Sequence, residues 1–165
     1  MIEPLVIALL AAAAPLFAWQ SEGWFGLAPC ELCLWQRWPY GVAAALALLA
    51  ALAGEGRGRR VLLGLAGLAV LASGAIAAFH VGVEQGWWPS PLPGCQAPRA
   101  GSGASVEDVL RSLAPAPSKP CDAATYLVPG LPLSMAELNL LYALGVGGIA
   151  LTWAARRHPR RAAIA

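Results

Sequence analysis

The chain has 165 residues, of which 58% are hydrophobic and only 12% are charged. Soluble domains carry about 25% charged residues, so this composition excludes an ordinary soluble globular protein. The formal net charge of +2 accompanies arginines clustered in two short segments, and it does not indicate nucleic-acid binding.

Four long stretches of the chain contain no charged residue. Each is close to the length of about 17–25 residues that a helix needs to cross a membrane. They are rich in Ala, Leu and Gly and show no strand-like alternation. The sequence therefore predicts an all-α integral membrane four-helix bundle that forms a single domain over 1–165. The expected spans are 4–21, 36–54, 61–80 and 135–155.

The first apolar stretch has a second interpretation as a cleaved secretory signal. Such signals begin with a positively charged segment, whereas Met1 is followed here by Ile2 and the acidic Glu3. We therefore expect this stretch to remain as the first span.

Arginines mark one side of the predicted bundle. They are concentrated in the connection at 54–60 and in the tail at 156–161. Because short loops rich in Lys and Arg stay in the cytoplasm, we expect a multi-pass protein of the bacterial inner membrane with both termini cytoplasmic. The loops at 22–35 and 81–134 then face the periplasm, where disulfides persist, and they contain all four cysteines.

The second outer loop contains a short helical pattern. Val106, Val109, Leu110 and Leu113 recur at one-turn spacing after Ser105, which resembles a helix cap. We expect a short surface helix at this point, resting on the membrane or on a partner.

The four cysteines admit three interpretations: metal ligands, structural staples or carriers of electrons. Cys30 and Cys33 form a Cys-x-x-Cys pair, whereas Cys95 and Cys121 stand far from that pair and from each other. A structural zinc site needs a second close pair of ligands, which neither the distant cysteines nor the two histidines provide. The pairing of four cysteines has three possibilities, and the spacing leaves it open.

A structural disulfide suits the distant cysteines better than the short pair. In the chain-entropy model, closing a ~26-residue loop between Cys95 and Cys121 stabilises by about 3.5 kcal/mol, against about 2 kcal/mol for the Cys30–Cys33 ring. At a helix start the short pair would instead gain thiolate character and exchange readily. We therefore predict that Cys30 and Cys33 are redox-active.

Arg37 follows Cys33 by four residues and lies at the start of the second expected span. If a helix begins near Cys33, Arg37 lies one turn later on the same face. A simple alternative is that its side chain only extends to the membrane interface. The functional interpretation is that its fixed cation holds an oxygen-bearing ligand over the Cys33 sulfur, and a quinone is a lipid-soluble electron acceptor of that kind.

With these residues the chain resembles the bacterial disulfide-bond formation protein B (DsbB) family, the quinone-linked oxidases of the periplasmic thiol oxidase DsbA. The similarity covers nearly the whole chain. It includes four spans, "CELC" followed by Arg37, "PSPLPGC" leading to Cys95, and Cys121 before the last span.

The resemblance implies a catalytic role for all four cysteines. Reduced DsbA would attack the Cys95–Cys121 disulfide at Cys95, and Cys121 would then engage Cys30. Cys33 would finally deliver the electrons to the quinone.

The same resemblance implies that Arg37 and His80 bind the quinone, His80 from the outer end of the third span. It implies no metal. It does not distinguish ubiquinone from menaquinone.

Two other functions remain to be compared. A vitamin K epoxide reductase-like protein is also a four-helix bundle with two cysteine pairs, but its Cys-x-x-Cys follows the separated pair. A disulfide-stabilised membrane adaptor without catalysis accounts for Cys95 and Cys121 and leaves Cys30, Cys33 and Arg37 without a purpose.

Overall fold

The computed structural model describes residues 2–95, 119–128 and 130–156. Its helices are α1 (Ile2–Phe25), α2 (Glu31–Trp35), α3 (Arg37–Leu52), α4 (Arg57–Glu84) and α5 (Met135–Ala155), with a 3₁₀ turn at Pro93–Cys95. Within these ranges no strand forms, and an isolated bridge joins Tyr126 to Ser134. The predicted all-α class is confirmed.

Three of the four long helices, α1, α4 and α5, are long and apolar enough to cross a membrane. Helix α3 has 16 residues, slightly fewer than the usual minimum of about 17. The spans at 4–21, 36–54, 61–80 and 135–155 stay predictions, because helix bounds do not define where the bilayer begins.

The second predicted span is divided near its outer end. Helix α2 stops at Trp35, Gln36 forms a turn, and α3 starts at Arg37. Pro39 accounts for the break, because it has no N–H to donate to the Trp35 carbonyl one turn earlier. As a result, the Cys-x-x-Cys pair lies on its own short helix.

Close packing of α4 against α5 depends on small residues. A Cβ atom added to Gly67 would lie 3.1 Å from the Ala150 Cβ and 3.2 Å from the Gly147 carbonyl oxygen. A Cβ added to Gly74 would lie 3.0 Å from the Ala143 Cβ. Since no hydrophobic effect drives helices together in lipid, this backbone approach supplies van der Waals contact.

Helix α3 packs against both α1 and α4, whereas α1 makes little contact with α5. The space between α1, α3 and α5 is therefore incompletely filled. The main apolar core lies deeper in the bundle and is built from small and branched residues: Ile7, Ala8, Ala11, Tyr40, Ala43, Ala47, Ala50, Leu63, Ala66, Val70, Ala143, Val146 and Ala150.

The two ends of the bundle have different chemistry. At one end, Arg59 of α4 makes an ion pair of 3.5 Å with Glu3 of α1. At the other end, Ser134 caps α5 and donates a hydrogen bond of 2.6 Å to Glu84 at the end of α4. The cysteines lie at this second end, away from the arginine-rich connection.

The predicted surface helix at 105–113 lies outside the described residues. So does the part of the arginine-rich tail beyond Arg156.

Candidate active site

All four cysteines meet in one place. Cys30, Cys95 and Cys121 belong to a single buried apolar cluster, with Cys33 packed against it. Cys95 and Cys121 form a disulfide, whereas Cys30 and Cys33 are free thiols whose sulfurs lie 2.8 Å apart. The fold thus brings together two pairs that are far apart in sequence.

Helix α2 begins between the two cysteines of the short pair. Cys30 is its N-cap, and the Cys30 sulfur accepts a hydrogen bond of 3.2 Å from the Cys33 backbone N–H. The helix therefore begins near Cys33, as expected, with its first residue at Glu31 and a cysteine sulfur as the cap acceptor. Cys33 and Arg37 keep the predicted spacing of one turn.

The pKa values of the two thiols shift in opposite directions because the thiols share one hydrogen bond. The Cys30 side chain donates to a thiolate on Cys33, which lowers the pKa of Cys33 to about 7. A hydrogen bond from the Cys30 backbone and the Arg37 cation lower it further, against the effect of burial. The same side-chain bond, together with burial, raises the pKa of Cys30. Cys33 is thus the more readily ionised thiol of the pair at neutral pH.

His80 lies at the junction of the two pairs. Its Nε2 is 3.2 Å from the Cys121 carbonyl oxygen and 3.5 Å from the Cys30 sulfur. Its Nδ1 is 2.9 Å from Nε2 of Gln36. Both ring nitrogens therefore have protein partners, and the side chain is buried.

A chain of hydrogen bonds fixes the His80 proton. The Ser73 hydroxyl donates to the Gln36 backbone carbonyl, at 2.7 Å, so it must accept from Asn139 Nδ2, at 3.3 Å. Asn139 Nδ2 also donates to Gln36 Oε1, at 2.7 Å, and Asn139 Oδ1 accepts from the Tyr40 hydroxyl, at 2.8 Å. Gln36 Nε2 must then donate to His80 Nδ1, which leaves the proton of neutral His80 on Nε2.

This tautomer turns the His80 N–H toward the Cys121 carbonyl and the Cys30 sulfur. A donor in that position favours negative charge on Cys30 when the pair exchanges partners. The arrangement also holds the Cys121 backbone beside Cys30.

Gln36, Ser73 and Asn139 were not predicted as site residues. The signal was present, because polar residues inside predicted membrane spans are costly and usually functional. It went unused because nothing in one sequence shows that three such residues on different helices meet.

Because His80 lies beside Cys30 and Cys33, these three residues must be considered as possible metal ligands. Ligand atoms of Cys30, Cys33 and His80 all lie within 4.8 Å of one another. In the described part of the chain this group has no fourth Cys, His or carboxylate ligand, whereas structural zinc sites take four. The proton on His80 Nε2 also opposes ligation by the nitrogen that faces the sulfurs.

Arg37 is positioned by an ion pair with Glu22 of α1. The Glu22 carboxylate offsets part of the cost of placing a cation in an apolar region. Its Nε–H is buried and has no hydrogen-bond partner among the described residues. The Arg37 Nε–H is therefore a donor whose hydrogen bond is not satisfied by the described residues.

A cavity of about 500 Å³ opens beside Arg37 and Cys33. Its walls come from α1, α3 and α5, and they are mostly apolar. Polar groups are concentrated at the cysteine end, where Arg37, Gln36 and His80 reach the lining, and Tyr142 lies on the wall formed by α5. This combination of a large apolar space and a few fixed polar groups is typical of a site for a small organic ligand.

Comparison with known proteins agrees with this geometry. The family model for "Disulfide bond formation protein DsbB" matches residues 3–153. This range includes all four cysteines and every helix, apart from the first residue of α1 and the last two residues of α5. The disulfide bond formation protein B of Azoarcus sp. (strain BH72) is 34% identical over 96 residues, covering 56% of this chain and 57% of the relative. The match thus spans little more than half of that relative's length. No solved structure matches the chain.

The predicted family is confirmed by this match. The apolar helices and the family fit a protein of the inner membrane. Because the match extends over both cysteine pairs and nearly the whole bundle, the chain belongs to the DsbB family of disulfide bond formation proteins.

Proposed function

We propose that this chain is a membrane thiol:quinone oxidoreductase that reoxidises a DsbA-type dithiol oxidase. One observation carries the proposal: a disulfide and a free dithiol share one buried cluster, and Cys33 of the dithiol borders a cavity that Arg37 also lines. Family membership supports the same activity.

The first part of the proposed reaction is thiol–disulfide exchange. A thiolate of the partner attacks the Cys95 sulfur, the Cys95–Cys121 bond breaks, and Cys121 leaves as a thiolate. Cys121 then attacks Cys30 in the oxidised short pair, and Cys33 leaves as the thiolate. The partner's second thiolate displaces Cys95 and forms the partner's disulfide. The Cys95 thiolate attacks Cys121 and releases Cys30, which restores the Cys95–Cys121 disulfide and leaves the short pair reduced. The contact of His80 with the Cys121 carbonyl supports this order, because it keeps Cys121 beside Cys30.

The lowered pKa of Cys33 supports its place as the last sulfur of the chain. A group that ionises at about pH 7 leaves readily from a disulfide and exists as a thiolate at neutral pH. When Cys30 and Cys33 form their disulfide again, the pair gives up two electrons and two protons.

The cavity residues fit a quinone. The Arg37 guanidinium, which lines the cavity, would donate to a quinone carbonyl oxygen, and the cavity volume of about 500 Å³ lies within the usual range for organic ligands, ~300–1,000 Å³. A quinone supplies a two-electron, two-proton acceptor at this point. Apolar walls from α1 and α5 would exclude water from its ring. His80 would act at the cysteine junction, since its two nitrogens already have protein partners.

For the membrane orientation we propose that the cysteines face the periplasm and both termini face the cytoplasm. Arg57, Arg59 and Arg60 lie at the start of α4, and Glu3 at the start of α1 pairs with Arg59 at that same end of the bundle. Cys30 and His80 occur at the opposite end. Under the positive-inside rule the arginine end is cytoplasmic.

The test is quinone reduction by the purified protein with a reduced DsbA-type partner. We expect turnover in the wild type and none in Cys33→Ser. We expect Arg37→Ala to raise the KM for quinone about tenfold or more, because it removes a charge-assisted hydrogen bond, while the KM for the partner stays nearly constant. Arg57→Ala, an exposed arginine at the far end, is the matched control and should leave both constants unchanged.

The same assay separates the alternatives. Absence of turnover in the wild type would favour a structural disulfide protein, and turnover in Cys33→Ser would contradict the proposed route. Ubiquinone and menaquinone analogues compared at equal concentration would identify the physiological acceptor.

A further inference from the structure

One hydrogen bond joins the segments that carry the two cysteine pairs. Glu31, which lies between Cys30 and Cys33 in α2, accepts a hydrogen bond of 2.9 Å at Oε2 from the backbone N–H of Gly94. Gly94 is the middle residue of the 3₁₀ turn that ends at Cys95. A carboxylate of the short pair's helix thus holds the residue next to Cys95.

The disulfide in the segment that Glu31 holds is buried. Cys95 is only 4% exposed and Cys121 is fully buried, so neither sulfur can be reached from outside in this arrangement. Cys95 packs in the cluster with Cys30 and Leu32. Attack by a protein thiolate needs direct access to the sulfur, so the Cys95 segment must move before exchange begins.

The two halves of the disulfide are held by different side chains. Glu31 holds the Cys95 half through the Gly94 N–H, and His80 holds the Cys121 half through the Cys121 carbonyl. Releasing the first contact leaves the second in place, and Cys95 stays joined to Cys121 by the disulfide and by the hydrogen bond of 3.1 Å from the Cys121 N–H to the Cys95 carbonyl. Cys121 would therefore remain beside Cys30 while the turn at Cys95 loosens and exposes the Cys95 sulfur.

We propose that Glu31 is a positioning residue that latches the Cys95 segment onto α2, and that release of this latch admits the attacking thiolate to Cys95. The inference rests on the proposed function in one respect, that Cys95 is the sulfur attacked. A carboxylate suits the task, since a charge-assisted bond to a backbone N–H is stronger than a neutral one and Glu31 also lies in the favourable first turn of α2.

The test measures reduction of the Cys95–Cys121 disulfide alone, in the whole 165-residue chain. In a Cys30→Ser/Cys33→Ser background, dithiothreitol is added and the appearance of Cys95 and Cys121 thiols is followed with time. Losing a hydrogen bond to a charged group raises the open fraction about tenfold or more, so Glu31→Ala should accelerate reduction by that factor. Glu31→Gln keeps an acceptor oxygen and should restore most of the protection.

Asp122→Ala is the matched control. Asp122 is exposed, lies next to Cys121 and makes no hydrogen bond within the described residues, so its removal changes local charge without touching the latch. We expect a rate within about twofold of the background protein. Equal acceleration in Glu31→Ala and Asp122→Ala would show that charge repulsion of the reagent, and no latch, controls the rate, and that would overturn the proposal.

A second readout guards against misfolding of the alanine variant. Hydrogen exchange of the Gly94 amide should be slow in the parent and in Asp122→Ala, and faster in Glu31→Gln and Glu31→Ala in that order. An unchanged reduction rate and an unchanged Gly94 exchange rate in Glu31→Ala would each refute the latch. Neither measurement uses quinone or the partner protein, so failure of the latch is distinguishable from failure of the proposed oxidoreductase activity.

Discussion

The lowered pKa of Cys33 allows a quantitative prediction of how fast this thiol is alkylated. Its pKa of about 7 is well below the ordinary value of 9.0, and the first cause is the hydrogen bond donated by the Cys30 side chain. Replacing Cys30 with Ala removes that donor and leaves the Arg37 cation and burial in place. We expect the pKa of Cys33 to rise toward its ordinary value.

The magnitude follows from the ionised fractions. At pH 7 a thiol with a pKa of about 7 is half ionised, whereas one at the ordinary 9.0 is about 1% ionised. Because only the thiolate reacts, Cys30→Ala should slow alkylation of Cys33 at neutral pH by up to about fiftyfold. Arg37→Ala removes a smaller contribution and should slow it less. The wild-type reactivity should be lost as the pH falls through 7.

The assay is alkylation of Cys33 by iodoacetamide, measured by peptide mass spectrometry across a series of pH values. Cys95→Ser/Cys121→Ser serves as the background, so that only the short pair titrates. A midpoint near 9 in the parent protein, or a midpoint that Cys30→Ala leaves unchanged, would refute the shared hydrogen bond as the cause.

Three further predictions concern stability and are measured by thermal unfolding in detergent. Gly67→Leu should destabilise the bundle by about 1–3 kcal/mol because its side chain enters the α4–α5 contact, whereas Gly148→Leu, where a Cβ meets nothing within 4 Å, should be neutral. Ser134→Ala should cost about 0.5–2 kcal/mol through loss of the α5 cap. Gln36→Leu should cost about 1–3 kcal/mol because it leaves His80 Nδ1 buried without a donor. Equal melting temperatures for the two glycine variants, or wild-type values for Ser134→Ala or Gln36→Leu, would contradict the respective contact.

Much of the fold was predictable because lipid imposes simple rules on sequence. A charge-free stretch such as 61–83 can cross a membrane only as a helix, because its backbone groups find no water to bond there, so the helix class followed from composition. The abundance of glycine in these stretches suits close helix packing, and Gly67 and Gly147 lie at the α4–α5 contact. The order of the cysteines with Arg37 identified the family, which the family match confirms, and which sets aside the vitamin K epoxide reductase-like alternative.

The parts that sequence did not predict depend on contacts between distant segments. The hydrogen bond that caps α2 is accepted by the Cys30 sulfur, an uncommon acceptor for which residue preferences give no signal. The position of His80 between Cys30 and Cys121 requires α4 and the second loop to be packed together first. Spacing along the chain contains no information about either contact. The roles of the four cysteines, Arg37 and His80 stay predictions.

The most direct measurement of the central claim is a single turnover without oxygen. The fully oxidised protein, loaded with one quinone, is mixed with one equivalent of reduced dithiol partner, and quinol and free thiols are counted. Electron transfer through both cysteine pairs predicts one quinol for each dithiol oxidised in the wild type. Cys33→Ser should form no quinol. Quinol formation in Cys33→Ser, or complete oxidation of the partner by the wild type without any quinol, would contradict the account.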